Sequence, residues 1–274
     1  MKTIIVPTDF SPSATNAVNY AADMAIQIKA RLLLFNIYQV PIAVTDAPLM
    51  LLSVDELRSS AEKRLEDLKN NLVHVTSGQI TIVTEVRMGD VVDELESLCE
   101  DTQPFAVVMG TMGHSAVERT LFGSTTLSAI KHLTWPVICV PIGKEYGLGI
   151  KKAGLACDFR HVVETTPVAA IRSIVNELKA ELHVLNVEVG QSSPSDKPEQ
   201  YALLDTALDG MNPQYHFIKG KDIEDGINQF AEENNLDLII AIPKKHKLLD
   251  GLFKKSSTKQ LVFQAHVPVL CVHE

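Results

Sequence analysis

Phe105-Ala-Val-Val-Met-Gly-Thr-Met-Gly113 joins an unbroken apolar run to two glycines, and Gly123-Ser124-Thr125 follows nine residues after Gly113. Phe105–Met109 reads as a buried strand, and the residues after Gly123 as the start of a helix. Glycines at a strand's end and at the mouth of the next helix describe a place where backbone comes close to an anion. A Cβ would block that approach, and the turn is expected to demand positive φ. Exposed N–H groups at the helix start, with the Ser124 and Thr125 hydroxyls, would supply donors to phosphate. Glycine also punctuates ordinary turns, but the spacing and the trailing hydroxyls favour phosphate.

Working outward, the chain repeats itself. Thr3-Ile-Ile-Val-Pro-Thr-Asp9-Phe10 resembles Lys152-Ala-Gly-Leu-Ala-Cys-Asp158-Phe159, and Arg31-Leu-Leu-Leu-Phe-Asn36-Ile37 resembles Glu181-Leu-His-Val-Leu-Asn186-Val187. Trp135-Pro-Val-Ile-Cys-Val140 resembles Val267-Pro-Val-Leu-Cys-Val272. Three matches in one order indicate a tandem duplication. The expected domains are residues 1–145 and 150–274, with the seam in the glycine-bearing segment Gly143–Gly149.

Within each half, apolar runs alternate with helical patterns. Ile4–Thr8, Leu32–Ile37, Ile80–Val86, Phe105–Met109 and Val137–Val140 read as strands. Ala14, Ala17, Val18, Ala21, Ala25 and Ile28 recur at helix spacing. Ser53-Val-Asp-Glu56 is a capping-box signature opening a charged helix through Leu72. Such alternation, with β-branched strands, implies a parallel sheet covered on both faces. The expected fold is α/β: two tandem doubly wound domains, each a five-stranded parallel sheet of order 3-2-1-4-5 flanked by helices.

In that order the strand direction of travel reverses between strands 1 and 4, where open α/β sheets bind ligands. Asp9 ends strand 1 and Gly110 ends strand 4, so both converge on one crevice. Asp9 can accept a hydrogen bond from an exocyclic amine such as adenine N6, or cap the Ser11-Pro12 turn.

A formal charge of −9 and a pI near 5.5 disfavour nucleic acid and anionic membranes as partners. No apolar run approaches the roughly 20 residues of a membrane helix. The first residues read as a strand rather than a signal peptide, and a cytoplasmic location is expected. Four cysteines without CxxC spacing and nine histidines without HxxxH or HExxH spacing suggest neither disulfide nor metal site. Cys139 and Cys271 hold matching places in matching runs, which favours packing. No GxxxxGK[ST], strand-linked GxGxxG or GxSxG is present.

Pro7-Thr8-Asp9-Phe10-Ser11 with Gly110-x2-Gly113-x9-Gly123-Ser124 resembles the universal stress protein family, in a tandem two-domain form. The resemblance implies that Asp9, beside Pro7 and Thr8, faces adenine, and that Ile37 contacts the base. It implies that Gly110, Met112, Gly113 and His114 cover ribose and phosphate, while Gly123, Ser124 and Thr125 contact the phosphates. The implied ligand is an adenine nucleotide: ATP with or without Mg, ADP or AMP. Pairing of last strands, also implied, would make the halves an internal pseudo-dimer, with a homodimer a further expectation.

The second half departs from this pattern. Aligned on Leu121-Phe122 and Leu252-Phe253, Gly110 meets Ala241, Gly113 meets Lys244 and Gly123 meets Lys254, with one residue inserted before Ser256. Side chains then stand where phosphate needs bare backbone. The leading reading is an ATP-binding stress-response regulator, its nucleotide in the first half and the second half a structural partner. An adenine-nucleotide hydrolase of related architecture and a non-binding interaction scaffold are the alternatives. No catalytic residue is assigned, because no general base is evident beside the phosphates.

Overall fold

The computed structural model describes residues 1–39, 53–111, 123–189, 197–243 and 257–273. The ten strands among these residues form one sheet. The first half contributes β1 Thr3–Pro7, β2 Arg31–Tyr38, β3 Ile82–Met88, β4 Ala106–Gly110 and β5 Val137–Val140. The second contributes β6 Lys152–Ala156, β7 Glu181–Val189, β8 Gln214–Gly220, β9 Leu238–Ala241 and β10 Val269–Cys271. The order is β3-β2-β1-β4-β5-β10-β9-β6-β7-β8. Each half therefore has the expected 3-2-1-4-5 winding, and all pairs within a half are parallel.

The strands read as continuous apolar runs because helices cover both faces. Ile4 and Val6 point to one layer while Ile5 points to the other, and all three are wholly buried. Each such side chain contributes roughly 1.5–3 kcal/mol on burial. The first layer holds α1 Pro12–Ile28, α2 Val54–Val75, α6 Val168–Leu178 and α7 Lys197–Ala207. The opposite layer holds α3 Val91–Thr102, α4 Ser124–His132, α8 Ile223–Glu233 and α9 Ser257–Gln264. A short helix, α5 Val162–Thr165, precedes α6. The capping box of α2 forms in full, with Ser53 Oγ accepting from Glu56 N and Glu56 accepting from Ser53 N. Cys99, Cys139 and Cys271 are buried free thiols. No described helix is long and apolar enough to cross a membrane.

At the centre β5 and β10 pair antiparallel, Ile138 opposite Leu270 and Val137 opposite Cys271. The carboxyl ends of the two halves' strands therefore lie at opposite edges of the sheet, and no ligand can span both crevices. The segment after β5 is more than a connector. Tyr146 and Ile150 are buried in the first layer. The Tyr146 ring meets Tyr20 of α1 edge-on at 5.0 Å, and its hydroxyl donates to Gln27 Oε1 at 2.5 Å. Gly149 holds φ +90 against Gln27, where a side chain would be both strained and obstructed.

Candidate functional site

The crevice between β1 and β4 is built on a tightly bonded turn. Thr8 N donates to Phe35 O at 2.8 Å, and the buried Asn36 side chain donates to Thr8 O at 2.7 Å. Thr8 Oγ1 accepts from Phe10 N at 3.0 Å, and Asp9 Oδ1 accepts from Ser11 N at 2.9 Å. Phe10 takes φ 63 as the chain reverses into α1. Ser11 then caps α1, its hydroxyl accepting from Ala14 N at 3.1 Å, with Pro12 at the helix start. Asp9 is exposed at the mouth of this turn, and one of its oxygens does hold the turn. The Arg64 guanidinium of α2 lies 3.9 Å from the Phe10 ring centroid.

Across the crevice, Gly110 ends β4 opposite Val140. Gly110 lies outside the left-handed region and Gly123 has φ −49, so neither glycine is there for positive φ. What both need is space. A Cβ on Gly110 would run into Ser13 of α1, at 2.6 Å from its carbonyl oxygen and 2.8 Å from its carbonyl carbon. A Cβ on Gly123 would lie 2.9 Å from Thr111 O. Thr126 Oγ1 donates to Gly110 O at 2.8 Å, so α4 is pinned onto the end of β4.

The first N–H groups of α4, those of Ser124, Thr125 and Thr126, are therefore presented at the same edge as Asp9. Among the described residues no side chain caps this helix. Such an N-terminus carries a partial positive charge and suits an anion. Ile37 is half-buried at the end of β2, on the face of Phe35. Pro7 and Thr8 are buried. Met112, Gly113 and His114 lie outside the described residues. The sequence reading missed Ser13, Asn36 and Thr126. Of these Asn36 and Thr126 carry a signal in the sequence, since Asn186 and Thr258 repeat them, whereas Ser13 carries none.

Residues 1–141 and 161–273 match the Universal stress protein family. The chain belongs to this family. Universal stress protein MJ0577 of Methanocaldococcus jannaschii is 27% identical over 152 residues, covering 51% of this chain and 94% of its own length. Universal stress protein MJ0531 of the same organism is 30% identical over 149 residues, covering 53% of this chain and 84% of its own length. Among solved structures, a universal stress protein from Archaeoglobus fulgidus aligns over 99% of this chain and 98% of its own, with TM-score 0.75 and 18% identity. That last likeness extends the shared fold across both halves.

In this universal stress protein the turn of the first crevice recurs in the second half. Asn186 donates to Cys157 O at 2.8 Å, Asp158 Oδ1 accepts from Arg160 N at 3.1 Å, and Phe159 holds φ 51. The opposite wall does not recur. Val107 stands opposite Val137, and Ile239 opposite Val269. Equivalent residues are thus 132 apart in β4 and in β5, as 239 − 107 and 269 − 137 both give. Gly110 corresponds to Ile242, not Ala241, while Lys244 and Lys254, expected opposite Gly113 and Gly123, lie outside the described residues.

Where Gly110 lets α1 lie flush, Ile242 places a branched side chain half-buried against the first-layer core. The matching helix is broken into α5 and α6 around Thr166-Pro167; neither His161 nor Pro167 caps its helix with a side chain, and the first N–H of α5, that of Val162, is taken instead by Gln200 Oε1 of α7 at 3.0 Å. Arg160 replaces the capping Ser11. The loss of glycine and the loss of the continuous helix go together, because a Cβ at this place and an unbroken helix start compete for the same volume.

Proposed function

We propose that the protein is an adenine-nucleotide-binding regulator of the universal stress type, holding ATP, with or without Mg, or ADP or AMP, in the first half alone. The observation that carries this reading is the contrast between the two crevices. In the first, Gly110 and Gly123 let α1 and Thr111 pack flush against them, and the start of α4, uncapped among the described residues, faces the edge that holds Asp9. In the second, Ile242 stands at the place of Gly110 and the sequence offers lysines, Lys254 and Lys255, near the place of Gly123. Residues 1–145 form the nucleotide-binding domain in this reading, and residues 150–274 a partner whose β10 completes β5 as an internal pseudo-dimer. Asp9 reads adenine, Ile37 packs on the base, and Gly113, Gly123, Ser124 and Thr125 face the phosphates. The reading places the protein in the cytoplasm, answering to nucleotide level.

Calorimetry with ATP is expected to give one site per chain, abolished by Gly123→Val. Two equivalent sites, or none, would defeat this assignment. The role of Asp9 is tested by Asp9→Asn, which keeps an oxygen for Ser11 N but exchanges carboxylate for amide. The melting temperature should hold while the preference for ATP over GTP drops about tenfold. A charged hydrogen bond of roughly 1.5–3 kcal/mol is what the exocyclic amine would lose. A variant that melts earlier yet keeps its ATP-to-GTP ratio would reduce Asp9 to a turn cap.

A further inference from the structure

We propose that His183 and His216 form an acid-sensitive latch holding edge strand β8 and helix α8 onto the second half, and that acid releases them. The register sets Leu185 opposite His216 and His183 opposite Gln214, so both imidazoles share one face of the sheet. His183 Nδ1 and His216 Nε2 are 3.0 Å apart, with ring centroids at 5.2 Å and planes 22° apart. The His216 ring lies 4.6 Å from Phe230 of α8. His183 is only 5% exposed, and its Nε2 makes no hydrogen bond among the described residues. β8 is the terminal strand of the sheet, held on one side only.

A hydrogen bond between two imidazoles needs one N–H and one lone pair. One added proton can be shared across it. A second turns both facing nitrogens into donors and breaks the contact, so the pair titrates as a unit. The charged groups acting on His183 are His216 of β8, Glu181 of its own strand with Oε2 at 3.8 Å from Nε2, and Lys152 of β6. From α8 the contact is the uncharged Phe230 ring. Burial lowers the proton affinity of both rings, and for His183 the neighbouring His216 and Lys152 add to it while Glu181 opposes.

The folded state therefore binds fewer protons than the unfolded chain. The latch is intact above the ordinary histidine value of about 6.5 and is lost as pH falls below it. At the equivalent places of the first half stand Leu33, buried, and Glu85, paired with Arg87 at 2.7 Å. The first half is thus an internal control without the latch.

Hydrogen exchange of the full chain at pH 7.5 and 5.5, corrected for chemical exchange rate, is the test. β8 and α8 amides should lose at least about tenfold more protection than β3 and α3 amides. His216→Gln keeps a donor and an acceptor without a titratable charge, and His183→Leu installs the first half's residue. Each should abolish that excess and reduce the acid loss in melting temperature by about 2–4 °C. Equal protection of β8 at both pH values, or an excess that persists in either folded variant, would overturn the latch.

Discussion

Gly110→Val is expected to destabilise the folded chain by about 2–3 kcal/mol, lowering its melting temperature by roughly 5–10 °C, and to abolish nucleotide binding. The cause lies in the fold before it lies in any ligand. The first atom of the new side chain would meet the Ser13 carbonyl group of α1 at 2.6–2.8 Å, and backbone at that distance cannot turn aside as a side-chain tip would. Either β4 or the start of α1 must move. Moving α1 disturbs the Ser11 cap and the turn that positions Asp9. Gly110→Ala should already show most of the effect, since the clash begins at Cβ. Thermal unfolding without nucleotide separates this account from a purely ligand-based one. If Gly110 served only phosphate approach, the alanine variant would melt within a degree of the parent protein. The second half shows the alternative solution, with Ile242 at this place and a helix broken at Pro167.

That pairing explains why part of the site was legible in sequence and part was not. The strands were visible because burial on both faces leaves unbroken apolar runs such as Ile4–Val6 and Phe105–Met109. The repeat followed because both halves keep Asn and Asp at the same turn. The requirement for glycine at 110 was legible, but its cause was not. Loop logic pointed to positive φ, whereas the constraint comes from Ser13, distant in sequence and brought close only by helix packing. The expected match of Gly110 with Ala241, where the sheet sets Ile242, has a similar origin. Matching Leu-Phe pairs in the loops suggested one register, and sheet pairing imposes another. Helix α7 is hard to read in the sequence because Lys197-Pro-Glu-Gln opens it with polar residues, leaving Tyr201 and Leu204, with Leu208 just past its end, as a short apolar stripe. The seam looked like a linker because glycines punctuate it, yet Tyr146 and Ile150 are core residues.

Residues 1–145 expressed alone are expected to self-associate, because removing the second half uncovers β5. Val137, Ile138, Cys139 and Val140 are each no more than 1% exposed in the full chain, and an open apolar edge seeks a new strand. The replacement strand is already specified. With equivalent residues 132 apart, Leu270 is the counterpart of Ile138 and Cys271 of Cys139. The observed pairs, Ile138 with Leu270 and Val137 with Cys271, thus become Ile138 with Ile138 and Val137 with Cys139 in a pair of first halves. That register is self-complementary, as a two-fold interface requires. A second copy can therefore dock where β10 now lies, without inventing a new surface. Ile138→Asp in the fragment would set two carboxylates against each other on the symmetry axis and should keep it monomeric. Sedimentation of both fragments at micromolar concentration checks this. A well-behaved monomer from the unsubstituted fragment would mean that β5 is shielded by its own half, and that the junction with β10 does not stand in for a dimer interface.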